Sequence, residues 1–235
     1  MRVGITLPTF EPTAAAALAR SREAELAGID GVFAFDHLWP GADKDRPALS
    51  LFPVLGAVAA TTRRLRIGSL VARLGLVPDE LVIKSLTCLQ ELSGGRLVAA
   101  LGIGDSKSLS ENNAYGIPFP SPAARRASLA AMLAALGAAG VETWVGATSP
   151  ATLEVARAAS ATVNLWDVGI ERLRTEVDRG PTSWAGPLPG DPRAAADRLM
   201  ELREAGATWA VWGWPRSVEL VTQALHLAGI RTSEG

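Results

Sequence analysis

Glu91-Leu92-Ser93-Gly94-Gly95-Arg96-Leu97-Val98-Ala99-Ala100-Leu101-Gly102-Ile103-Gly104-Asp105 is the stretch from which the fold of this chain is read. It closes an amphipathic helix, turns on two glycines and enters a hydrophobic strand. The strand leaves through a glycine-spaced loop that carries an acid. A short apolar run bounded by turn residues, next to helical periodicity, is the pattern of a buried parallel strand. Backbone that ends in Gly-Ile-Gly-Asp can approach a flat, polar ligand closely. A ligand site is therefore expected at the strand's carboxyl end.

The same alternation runs outward in both directions. Strands are expected at Arg2 to Leu7, Gly31 to Phe35, Leu65 to Val71 and Arg96 to Leu101. Their helices are Thr13 to Ala27, Leu51 to Thr61, Asp79 to Leu92 and Pro122 to Leu136. In the second half the expected strands are Val141 to Val145, Thr162 to Leu165, Thr182 to Ala185 and Thr208 to Trp212. The helices there are Pro150 to Ser160, Glu171 to Val177, Pro192 to Ala205 and Ser217 to Leu227. Eight βα units without a linker point to α/β architecture closed as a (β/α)8 TIM barrel, one domain over residues 1–235. An open doubly wound sheet is the other candidate, but its first turn carries a glycine fingerprint. Here that turn reads Leu7-Pro8-Thr9-Phe10. The segment from Gly102 to Ser121 is long for a βα connection, and in a barrel it lies at the catalytic face.

The bulk numbers narrow the class. With 235 residues, 48% hydrophobic, 20% charged and a net charge of −1, the chain is a globular protein with no electrostatic case for nucleic acid or an anionic membrane. No apolar run reaches the roughly 18 residues of a membrane span. The start, Met1-Arg2-Val3-Gly4-Ile5, reads as a first strand rather than a signal peptide, so a cytoplasmic enzyme is expected. The lone Cys88 has no disulfide partner and reads as a small buried hydrophobe in a reducing compartment. There is no Gly-x-Ser-x-Gly elbow, no Walker lysine loop and no His/Cys set with metal spacing. The seven tryptophans include a late group, Trp209, Trp212 and Trp214, without a basic track, and read as barrel core and pocket wall.

Several constellations can carry chemistry. Asp36-His37-Leu38-Trp39 follows the second strand directly. Histidine is the side chain that changes charge near neutrality, which suits it to proton transfer. Asp36 can fix its tautomer and Trp39 can wall the pocket; the structural alternative is a capping Asp beside a half-buried His. His226, in the last helix, reads as structural. Gly68-Ser69 marks a strand end or a bulge. Asp105 can serve as a proton donor or as the N-cap of a short helix. Glu111-Asn112-Asn113-Ala114-Tyr115-Gly116 can line the pocket or cover the rim. In Val145-Gly146-Ala147-Thr148-Ser149-Pro150, small residues lead into a helix whose N–H groups suit a phosphate, with Ser149 as N-cap. The alternative there is an ordinary capped turn, which is the reading for Gly190-Asp191-Pro192.

Taken in order, these pieces resemble the bacterial luciferase-like flavin and deazaflavin superfamily. The resemblance rests on Asp36-His37, Leu65 to Ser69, Leu92-Ser93-Gly94-Gly95-Arg96 through Gly102-Ile103-Gly104, Glu111 to Pro118, Trp144 to Ala147 and Gly190-Asp191-Pro192, and it spans nearly the whole chain. It implies a barrel that holds a flavin-like ring at its carboxyl face. The version Gly-Ile-Gly-Asp-Ser-Lys-Ser, residues 102–108, is closer to branches that use the deazaflavin coenzyme F-420 than to FMN luciferases. By that resemblance His37 and Asp105 are catalytic and sit near the reactive carbon of the deazaflavin. A strand-three bulge, often a cis peptide, falls at Leu70-Val71. The phosphate-binding backbone falls on Gly146, Ala147 and Thr148. Asp36, Ser69, Leu70, Val71, Gly102, Ile103, Gly104 and Ser108 complete the cofactor site, with Trp39 in the substrate pocket. The implied function is hydride transfer between F-420 and a small organic substrate, in a homodimer. An FMN-dependent monooxygenase and a non-catalytic flavin or deazaflavin carrier are the alternatives. Two departures bear on the substrate. The family is commonly longer near strand seven, and Asp105 is shorter than the glutamate of the sugar-phosphate dehydrogenase branch, with no lysine cluster for a phosphate.

Overall fold

Nine strand segments and the helices between them follow the expected alternation among the described residues. The computed structural model describes residues 1–41, 43–106 and 108–230. The first half runs β1 (Arg2–Thr6), α1 (Ala15–Leu26), β2 (Gly31–Ala34), α2 (Leu51–Thr61), β3 (Arg66–Ser69), β4 (Ala72–Arg73), α3 (Asp79–Leu92), β5 (Leu97–Gly102), α4 (Ser108–Ala114) and α5 (Pro122–Ala138). The second half runs β6 (Glu142–Gly146), α6 (Pro150–Ala158), β7 (Thr162–Trp166), α7 (Ile170–Val177), β8 (Thr182–Pro187), α8 (Pro192–Glu204), β9 (Trp209–Gly213) and α9 (Val218–Leu227).

Local chemistry sets these boundaries. α3 stops where Gly94 and Gly95 take φ values of 64° and 84°, a region open to glycine. α8 starts at Asp191, whose carboxylate accepts from the Arg193 and Ala194 N–H groups, with Pro192 in the first turn. Asp191 is thus the plain cap that was expected. Ser149 holds the N-cap position of α6, but its hydroxyl bonds the Thr152 hydroxyl at 2.9 Å and makes no cap bond to the backbone.

All strand pairs are parallel, and the order β3-β2-β1-β9-β8-β7-β6-β5-β4 is closed by pairing of β3 with β5. β3 and β4 are two halves of one strand, parted at the cis Leu70-Val71 peptide, so the sheet is an eight-stranded TIM barrel. Side-chain alternation creates two apolar layers. Val3, Ile5, Val32, Leu97, Val145, Val163 and Trp212 face outward and pack under the helices. Phe33, Val98, Trp144, Trp209 and Val211 fill the inside. Phe33 lies 5.3 Å from Trp144 and 5.7 Å from Trp209, centroid to centroid, so aromatic rings plug the barrel. Gly4 and Gly68 leave room for them, since a Cβ there would stand 2.7 Å and 2.8 Å from the Phe33 ring. The closed interior directs any ligand to the carboxyl-end mouth.

One expectation changes. Cys88 is exposed, not buried, because α3 turns it to the outer face with Leu81 and Leu92. Within the long segment after β5, Ser108–Ala114 form the short helix α4. No helix among the described residues is long and apolar enough to cross a membrane.

Candidate functional site

Two valine methyl groups form the floor of the mouth. Val71 leaves the strand interruption and rests on Gly102 at the end of β5 and Gly146 at the end of β6. A Cβ on Gly102 would stand 2.4 Å from Val71 Cγ2, and one on Gly146 would stand 2.7 Å from Cγ1. Only glycine lets that side chain lie across both strand ends. The result is a flush apolar surface, half-exposed at Val71, against which a flat ring can lie. Leu70 turns inward and joins the barrel core. Ser69 is buried and its hydroxyl donates to Ala100 O at 2.7 Å, so it ties β3 to β5.

Beside this floor, β2 delivers His37. Its Nδ1 lies 2.8 Å from Glu111 Oε1, and Glu111 Oε2 accepts from the Leu38 N–H at 2.7 Å. Arg73 Nη2 stands 3.3 Å from Glu111 Oε2, and both side chains are 4% exposed. Burial raises a carboxyl pKa, but here the His37 and Leu38 hydrogen bonds and the Arg73 charge outweigh it and hold Glu111 below its ordinary range. An ionised carboxylate only accepts, so Nδ1 donates in this hydrogen bond, which leaves Nε2 as the nitrogen through which the ring can exchange a proton. The His37 side chain is 44% exposed, open to the mouth.

The sequence offered Asp36 as the group that fixes the His37 tautomer, but Glu111 takes that place. Asp36 Oδ2 accepts from the Arg73 N–H at 2.9 Å, so it joins β2 to β4 instead. Burial pushes the Asp36 carboxyl above its ordinary range, against the pull of the Arg73 N–H and guanidinium. Burial likewise lowers Arg73, opposed by Glu111, Asp36 and Asp105. Trp39 is buried and stacks on Tyr115 with centroids 6.4 Å apart, which anchors the end of α4.

In the glycine loop Asp105 makes the contacts of a helix cap. Asp105 accepts from Ser108 N–H at 3.1 Å, and Ser108 Oγ receives the Asp105 N–H at 3.2 Å. Asp105 is exposed at the start of α4, and its field reaches Arg73 and Arg125. Arg125 donates to the carbonyls of Ile103, Gly104 and Pro120, which locks the loop in place. Gly104 adopts a φ of 71°, and a Cβ on it would meet Ser108 at 3.1 Å. Lys107 of the motif lies outside the described residues. After β6, the Ala147 N–H donates to Asn164 O at 3.3 Å and so continues the strand pairing, while Thr148 is exposed.

Sequence reasoning missed two groups. Arg73, a charge inside an apolar strand, was the signal for a buried partner, since such charges are rarely buried unpaired. The other is the rest of an aromatic wall at the mouth, Phe10, Phe35 and Trp166, which joins Trp214, the one member that the sequence marked as pocket wall. Phe35 stacks on Trp214 at 5.5 Å and on Phe10 at 5.9 Å, and Trp166 meets Trp214 edge-on at 5.2 Å.

This is a TIM barrel whose site is built at the carboxyl ends of its strands. The sequence profile of the Luciferase-like monooxygenase family matches residues 1–153, and the chain belongs to that family. A curated F420-dependent glucose-6-phosphate dehydrogenase from Beutenbergia cavernae is 37% identical over 105 residues, 44% of this chain and 30% of that relative's length. The chain therefore matches less than a third of this relative. Among solved structures, the coenzyme F420 dependent tetrahydromethanopterin reductase from Methanopyrus kandleri superposes with a TM-score of 0.72 at 17% identity, over 97% of each chain. An F420-dependent secondary alcohol dehydrogenase, solved with an F420-acetone adduct, superposes with a TM-score of 0.78 at 12% identity, over 95% of this chain and 96% of that one. A monooxygenase from Streptomyces bottropensis reaches 0.72 at 15% identity, over 97% and 96%. The family rests on the profile match, and the superpositions show the barrel.

Proposed function

We propose that the protein is an F-420-dependent oxidoreductase that moves a hydride between the deazaflavin and a small organic substrate. The observation that carries this reading is the His37–Glu111 pair, which opens onto the mouth next to the Val71 floor. The relative from Beutenbergia cavernae, an F420-dependent enzyme, supports the choice of cofactor. When bound, the deazaflavin would supply the hydride chemistry.

The chain's residues supply the rest. Val71, flush on Gly102 and Gly146, gives the ring a dry seat. His37, with its proton fixed on Nδ1 by Glu111, takes up a substrate hydroxyl proton at Nε2 as the hydride departs, or returns it in the reverse direction. Asp105 is the second acid of the site, placed by Ser108 at the opening of α4. The N-terminal end of α6, at Gly146, Ala147 and Thr148, would face the coenzyme's phosphate. There the Ala147 N–H is already bonded to Asn164, so the contribution falls to the remaining N–H groups. Leu81, Cys88 and Leu92, exposed at helical spacing on α3, support a homodimer as part of this reading.

The test is a parallel titration of the purified protein with F-420 and FMN, followed by turnover of His37→Asn. F-420 is expected to bind more tightly, and His37→Asn to keep that affinity while losing roughly 10²–10⁴-fold in turnover. Tighter binding of FMN with oxygen uptake would establish the monooxygenase alternative. Tight F-420 binding with no turnover under any reductant would make the protein a carrier.

A further inference from the structure

The aromatic wall is not used by the cofactor seat or by the proton-transfer pair. Its four rings come from separate strand ends: Phe10 after β1, Phe35 after β2, Trp166 closing β7 and Trp214 after β9. The strands β9, β1 and β2 are consecutive around the barrel, so Trp214, Phe10 and Phe35 occupy the arc opposite Gly102 on β5 and Gly146 on β6, while Trp166 reaches them from β7, the neighbour of β6, and meets Phe35 edge-on at 5.9 Å. Phe10 and His37 have centroids 6.5 Å apart, so the wall ends at the proton-transferring ring.

Trp214 is the exposed member. It is 53% exposed although it stacks on Phe35 with an interplanar angle of 24°. A bulky side chain with φ of 48° is uncommon, and here the backbone is held by donation of the Trp214 N–H to buried Thr6 Oγ1 at 2.8 Å. Asp167, next to Trp166, has φ of 50° and is fixed by donation of its N–H to Ala185 O at 2.6 Å. Two tryptophans are thus clamped by unusual backbone at one edge of the mouth, where such conformations cluster around function. The arginines on the other side, Arg73 and Arg125, are committed to Glu111, Ser108 O and the loop carbonyls.

From this arrangement we infer that the wall is the substrate subsite, and that it takes a planar, mainly apolar ring compound with one polar group directed at His37. The inference rests on the oxidoreductase reading for what is done to that group, but not for binding. Stacking on a fixed aromatic face adds about 0.5–1.5 kcal/mol beyond area burial, equivalent to roughly two- to tenfold in affinity. An extended alkyl chain of equal size gains none of that.

The probes are 2-naphthol and 1-octanol, each with one hydroxyl, titrated calorimetrically into the full chain without cofactor. The wild type is expected to prefer 2-naphthol by about two- to tenfold. Trp214→Ala should abolish the preference and leave F-420 affinity unchanged, and Trp214→Phe should restore most of it. No preference in the wild type, a preference that survives Trp214→Ala, or a loss that appears in the F-420 titration instead would each overturn the inference. Because the naphthol arm contains no coenzyme, failure of F-420 to bind would overturn the proposed function alone.

Discussion

Glu111 performs two tasks at once: it orients His37 and it neutralises Arg73, and both partners meet it in a buried place. Removing one member of a buried ion pair leaves the other charge uncompensated. Glu111→Ala is therefore expected to destabilise the fold by about 3 kcal/mol or more, measured by denaturant unfolding. A carboxyl held below its ordinary value stabilises the fold in its ionised form. That contribution is complete above 4.5 and is lost as pH falls through the folded-state value. The stability gap between wild type and Glu111→Gln should be constant at neutral pH and shrink below about 4.5. Parallel pH profiles for the two proteins would show that the charge of Glu111 contributes nothing. The sequence revealed Glu111 as an acid ahead of Gly116-Ile117-Pro118. It did not reveal the pairing with a histidine 74 positions earlier, because that contact exists only once α4 closes over β2.

At the scale of an element, β5 has two ends with different work. Arg96, at its start, donates to Ser93 O, Leu65 O, Ala59 O, Thr62 O and Thr62 Oγ1, all within 3.1 Å. It sits at the amino-end face, which in a barrel serves stability. Gly102, at the other end, makes room for Val71. Arg96→Ala should cost about 3 kcal/mol, since hydrogen bonds to a charged group contribute roughly 1.5–3 kcal/mol each and are not additive, and should leave cofactor affinity intact. Gly102→Ala should cost about 1–3 kcal/mol through overpacking and also weaken cofactor binding, with stability recovered by adding Val71→Ala. Equal effects of the two substitutions on the cofactor would erase this division. The Ser-Gly-Gly-Arg and Gly-Ile-Gly-Asp halves were legible as one motif because they flank one strand. Their opposite roles were not, since the acceptors of Arg96 lie on α2 and its following loop, more than 30 residues away for all but Ser93. The helices α2, an apolar run, and α3, an amphipathic one, begin and end where the sequence placed them. The third strand ends earlier than its apolar run, and the cis peptide at Leu70-Val71 that interrupts it has no periodic signal: the family resemblance, not the pattern, placed a bulge there.

For the whole molecule, the barrel has one open end for a ligand. Phe33, Trp144 and Trp209 block the inside, and Arg66, paired with Glu142, crosses the sheet at the lower end. Ligand free energy taken up at the mouth is transmitted to every strand that contributes there, because β1 to β9 form one closed hydrogen-bonded ring. A ligand that binds only the folded chain at about 100 times its Kd stabilises it by about 2.7 kcal/mol. For a chain of this size each kcal/mol raises the melting temperature by about 2–4 °C. F-420 at that excess is expected to raise the melting temperature by roughly 5–10 °C, and FMN at the same concentration by far less. Gly102→Ala should lose most of the rise, whereas Trp214→Ala should keep it, since one lies under the proposed cofactor seat and the other in the proposed substrate arc. A larger rise with FMN would transfer the mouth to a flavin and with it the chemistry assigned to His37.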